Sequence, residues 1–150
     1  MESDIERNAQ DWFRFMVDTN LAPGLRALGF FGVGRRFRIE GHRHWGEVVV
    51  EQARSFTFRA VRFTVHVGVI SRDEWAEQLR VRPYYPAGEV TRTQTMGWSS
   101  PIGDLVTVAG HPIGELWWEL EVGSPFESLA REVLTAVREF ALPAMRDRMA

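Results

Sequence analysis

The sequence predicts an α+β domain: an antiparallel sheet of five to six strands with N- and C-terminal helices packed on one face, in the order α-β-β-β-α-β-β-α. Three observations carry that expectation. Apolar residues recur at 3.6 spacing near both ends of the chain, and they alternate with polar residues through the middle. Ser-x-x-Glu capping boxes mark three helix starts, at Ser3/Glu6, Ser71/Glu74 and Ser124/Glu127. Residues 1–150 read as one domain, without an internal repeat, low-complexity tract or linker.

The first helix is expected from about Asp4 to Asn20, with Ile5, Ala9, Trp12, Phe13 and Met16 on one face. Pro23-Gly24 should kink or break it, because proline removes a donor and collides with the preceding turn. Leu25 to Leu28 resumes the pattern, and Gly29 suits the left-handed stop. The glycines 29, 32 and 34 read as that stop and a turn. A phosphate cradle needs the opposite order, strand before helix, so that a helix N-terminus meets the anion.

The middle alternates. Arg36 to Glu40, Glu47 to Arg54 and Arg62 to Val69 read as strands, with turns at 41–44 and 55–59. In the third, Phe63, Val65, Val67 and Val69 share the buried side, and Arg62, Thr64, His66 and Gly68 share the other. A short helix follows from Arg72 to Arg80, with Trp75 and Leu79 inward. Pro83-Tyr84-Tyr85-Pro86 must be loop. Strand character returns at Val90 to Trp98 and at Glu115 to Val122, and 104–109 reads as a short strand or extended loop. The last helix runs from Pro125 to about Met149, with an apolar stripe of Phe126, Leu129, Val133, Leu134, Val137 and Phe140. Pro143 should kink it or end its regular part.

Composition narrows the function classes. A chain of 150 residues, 45% apolar and 25% charged, can bury a self-sufficient core. No apolar run reaches the roughly 18 residues of a membrane span. The acidic start, Met1-Glu2-Ser3-Asp4, lacks the basic and apolar regions of a signal peptide, so a cytoplasmic protein is expected. The absence of cysteine excludes disulfides, thiolate nucleophiles and cysteine metal sites. All eighteen basic residues are arginine, which excludes lysine Schiff bases and a Walker lysine and fits a GC-rich bacterial genome. Charge is uneven: −2 over residues 1–29, +4 over 30–70 and −4 over 71–150. A basic middle in an acidic chain either steers an anionic partner or is a solvated sheet face.

Several motifs, in order, resemble a mainly bacterial family, domain of unknown function 4304. They are Leu21-Ala22-Pro23-Gly24-Leu25 with Leu28-Gly29-Phe30, then Gln52, Phe63 to Val69, Trp117-Trp118 and Leu142-Pro143, across roughly residues 8–147. The family pattern has Asn where this chain has His66. The resemblance implies a small α+β domain and carries no activity, cofactor or catalytic residue with it.

Candidate sites come from the residues themselves. His66, Arg62, Arg38, Gln52, Trp117 and Glu119 are expected to gather on the polar sheet face as a surface for a small polar or anionic ligand, with Trp98 in the 82–112 segment that could act as its lid. A His66 pair with Glu119 or Glu121 could do acid–base work. The same residues would serve as a solvated face with cross-strand ion pairs. His42-x-His44, with Glu40 and Glu47 nearby, permits a metal but specifies no third ligand, so no metal or cofactor is assigned. Gly97-Trp98-Ser99-Ser100-Pro101 lacks the last glycine of a nucleophile elbow and reads as a turn. Arginines interleaved with aromatics over 35–62 give only a weak nucleic-acid signal in a chain of net charge −2. Phe56 and Phe58 in a turn, with Tyr84 and Tyr85, are the candidate protein contacts unless they fold back on the core.

The expected function is therefore a non-catalytic binding or protein-interaction domain, of toxin-neutralising or regulatory type, with a protein partner. The alternative is a small-molecule binder or enzyme using a His/Glu pair. Sequence leaves the oligomeric state open.

Overall fold

A computed structural model describes residues 7–81 and 97–150. The Ser3/Glu6 box, Tyr84, Tyr85 and the expected strand over 90–96 lie outside the described residues.

The first helix among the described residues is α1 (Ala9–Met16). Asn8 caps it, accepting from the Asp11 amide while Asp11 accepts from the Asn8 amide. A π turn, Val17–Leu21, then leads into α2 (Ala22–Ala27), which carries Pro23 in its first turn. The chain thus passes the proline without breaking the helix, and the Ala22 amide donates to the Val17 carbonyl five residues back. At the far end, Phe30 N–H donates to Leu25 and Gly29 adopts φ 105°, a left-handed helix stop as expected.

The last helix repeats this construction. After α4 (Phe126–Ala136), a π turn over Val137–Ala141 precedes α5 (Leu142–Met149), with Pro143 in its first turn. Residues 16–27 and 136–147 have the same sequence of buried, half-buried and exposed positions. The expected Ser124/Glu127 box does not form: Pro125 is the cap residue and contributes no side-chain bond. Helix α3 (Arg72–Val81) does start at Ser71, whose hydroxyl accepts from the Glu74 amide.

Strands β1 (Phe31–Val33), β2 (Arg36–Glu40), β3 (His44–Gln52), β4 (Ala60–Ser71) and β5 (Trp98–Pro101) lie in that order, all antiparallel. A small hairpin, β6 (Thr107–Val108) with β7 (His111–Pro112), stands apart. Strand β8 (Trp118–Glu121) returns to β4. Strands β5 and β8 share one edge of β4, β8 against residues 60–63 and β5 against 66–69. Two readings change. Residues 31–33 are a strand rather than a turn, and Trp98 to Pro101 is a strand rather than a Ser-Ser-Pro turn.

The terminal helices cover one sheet face. Phe13, Met16, Leu25, Val133, Val137 and Met145 are buried against Phe37, Val48, Val50, Val61, Phe63, Val65 and Val67. Phe63 stands between Phe13 and Trp118, with ring centroids 5.0 and 5.8 Å away. Gly46 admits the last helix: a Cβ there would lie 2.6 Å from the Met145 methyl. The opposite sheet face holds the residues considered next.

Candidate functional site

Register fixes which side chains share the second face, because directly opposed residues in an antiparallel pair point the same way. Arg38 lies opposite Glu47, which lies opposite Gly68; Val49 lies opposite His66, and His66 opposite Pro101. Arg62 lies opposite Glu119. The face therefore brings together Arg38, Arg62, His66 and Glu119, and Trp117 joins them through Arg62, whose guanidinium sits 5.3 Å above its ring.

Two expected members are elsewhere. Gln52 opposes Phe63 on the helical side, where its amide pairs with Gln10 of α1. Trp98 opposes Val69 on that same side, packs against the core, and is covered by Arg148 at 4.2 Å. Sequence parity alone could have placed Gln52, two residues beyond Val50.

The partner of His66 is also different. Its Nδ1 lies 2.8 Å from Glu51 Oε2, on the neighbouring strand and not on β8. The Nδ1 atom is buried and has no hydrogen-bond partner, so the contact is a close approach of the two groups and not an aligned hydrogen bond. Beside it, Thr64 donates from its hydroxyl to the Leu116 carbonyl at 2.6 Å. That bond closes the gap between β5 and β8 and holds the chain leading to Trp117. Gly103 tightens the same junction, with its carbonyl accepting from Gly114.

Elsewhere on the face, charges are already matched. Arg38 is 3.7 Å from Glu47 and stacks near Trp45 and Trp75. Arg72 is 3.8 Å from Glu40, donates to the Gly41 carbonyl and lies 4.3 Å above Trp45. The crevice between Arg38, Trp45, Glu47, Ile70 and Trp75 has a volume of about 10 Å³, room for one water at most. Larger depressions, of about 310 and 500 Å³, lie on the helical side. Trp12, Pro125 and Phe126 help line the first, and Val106, Arg131 and Phe140 the second. His42 is exposed and His44 half-buried; among the described residues no three His, Asp or Glu side chains cluster as metal ligands.

The β3–β4 connection, residues 53–59, is different in kind. Phe56 and Phe58 are 55% and 54% exposed. They have not folded back on the core. Thr57 shapes the turn: its N–H donates to the Ala60 carbonyl, and its hydroxyl accepts from the Arg59 and Ala60 amides. The Phe58 carbonyl accepts from the first amide of α1 at 2.7 Å, fixing the tip to the helix start.

The described residues thus form a small α+β fold with a six-stranded sheet, two proline-bearing helical segments on one face and an exposed aromatic turn. The chain belongs to the family described as domain of unknown function DUF4304, whose profile matches residues 21–147. No curated protein and no solved structure matches it.

Proposed function

We propose that the protein is a non-catalytic interaction domain, bacterial and cytoplasmic, whose contact surface is the β3–β4 tip. The observation that carries this is the pair Phe56 and Phe58, each more than half exposed on a turn that the backbone holds in place. Aromatic side chains with exposed arginines beside them are the residues that dominate interface energetics. A fixed loop loses little conformational entropy when it docks. The absence of cysteine suits a reducing compartment, and no helix of the described residues is long and apolar enough to cross a membrane.

Native mass spectrometry of the protein purified gently from its host tests this. A co-purifying protein that is lost in the Phe56→Ala/Phe58→Ala variant supports the proposal. A partner retained by that variant refutes this surface.

A second reading rests on the Glu51–His66 contact. A carboxylate 2.8 Å from an imidazole sets an acid and a base side by side, as acid–base work on a bound small molecule requires. A small-molecule adduct lost on His66→Asn would favour it.

A further inference from the structure

Building on the tip as the contact surface, we infer that its partner is an acidic protein segment bearing apolar residues. The arginines of the sheet face and those of the tip differ in whether they are already satisfied. On the sheet face Arg38 and Arg72 have carboxylates within 4 Å, and Arg62 has Trp117 beneath it and Glu119 opposite. At the tip, Arg54 and Arg59 are exposed and form no ion pair among the described residues. Residues 53–62 hold three arginines and no acid.

Two guanidiniums without an ion pair among the described residues therefore flank two exposed phenyl rings on a fixed turn. Carboxylates on the partner would take the guanidiniums as forked, charge-assisted pairs, while apolar side chains receive the rings. Exposure points to the same partner. Both rings are more than half exposed, so the tip fits a partner able to receive the two together. A polynucleotide carries a charge at every residue and would run its phosphates past exposed Glu119 and Glu121, beside Arg62 and Ala60. A short acidic segment ends before reaching them.

The test is selection from a random-peptide phage library on the full chain, counter-selected on the Phe56→Ala/Phe58→Ala variant. The expected peptides combine Asp or Glu with aromatic or aliphatic residues. They should bind Arg54→Glu/Arg59→Glu about tenfold or more weakly, and lose affinity as salt rises from about 50 to about 500 mM. Arg54→Gln/Arg59→Gln should fall between, and matching circular dichroism melts for both variants establish that the fold is intact. Peptides that need Phe56 and Phe58 but carry no net negative charge, or that tolerate the Glu variant, overturn the acidic partner and leave the contact surface standing. Recovery of no peptide dependent on the two phenylalanines overturns both. Binding of a thymidine oligonucleotide or of phosphatidylglycerol vesicles through the same side chains, without peptide binding, overturns a protein partner.

Discussion

His66 Nδ1 on β4 stands 2.8 Å from Glu51 Oε2 on β3, a diagonal contact across two paired strands. Glu51 is directly opposite Thr64, so the imidazole reaches one pair along to meet it. The Glu51 side chain is half exposed, which leaves solvent to screen the pair. A double-mutant cycle with Glu51→Gln and His66→Asn should give a coupling of about 0.5 kcal/mol at about 50 mM salt and less at about 500 mM, where ions screen an exposed pair. Equal coupling at both values would show packing rather than charge.

The Thr64 hydroxyl links this pair to the rest of the face. Replacing it by valine keeps the shape but leaves the half-buried Leu116 carbonyl without its donor. Thr64→Val should cost about 1–2 kcal/mol in urea denaturation. Amide exchange should quicken around Leu116 and Trp117 while the β3–β4 ladder stays protected. Uniform acceleration would mean that the bond does not act locally.

Gly103 is where the junction has no room. A Cβ there would lie 1.6 Å from the Gly114 carbonyl oxygen, a backbone atom that cannot swing aside. Gly103→Ala should therefore destabilise by about 3 kcal/mol. Gly110, with φ 82° and open space around it, supplies the comparison; Gly110→Ala should cost about 1 kcal/mol, from backbone strain alone. Similar losses at the two sites would contradict the contact.

Local patterns made most of the fold legible. Alternation placed β2, β3 and β4, because one side of each strand faces apolar helices and a one-residue slip would expose Val48 or Phe63. Strand β1 was hidden, since three residues between glycines carry no period. Pro23 and Pro143 read as breaks, because the rule of interior proline assumes an α-helix. Each π turn ends two residues before its proline and carries the chain past the point where the ring has no N–H to donate. The site was half legible. Parity put Arg38, Arg62 and His66 on one face, but which strand borders β4 is long-range information. Glu51 sits on the adjacent β3, and β8 meets β4 too far toward Ala60 for Glu119 to reach past Arg62. The exposure of Phe56 and Phe58 depended on whether another element covered the turn, which only the assembled chain decides.

Helix α3 offers a pH test separate from either candidate surface. Glu77 accepts from Arg80 at 2.6 and 3.1 Å, one turn along. The hydrogen bond and the charge of Arg80 together hold the Glu77 carboxyl below its ordinary value. A carboxyl depressed in the folded state contributes stability above its unfolded value and loses it as pH falls through the folded one. Both side chains are exposed, so the effect on global unfolding should vanish into solvent screening. The local effect should not. Carbon-detected NMR titration should place the Glu77 midpoint below the ordinary glutamate value, and Arg80→Ala should raise it toward that value. A Glu77 midpoint that does not move in Arg80→Ala would show that the pair does not persist in solution.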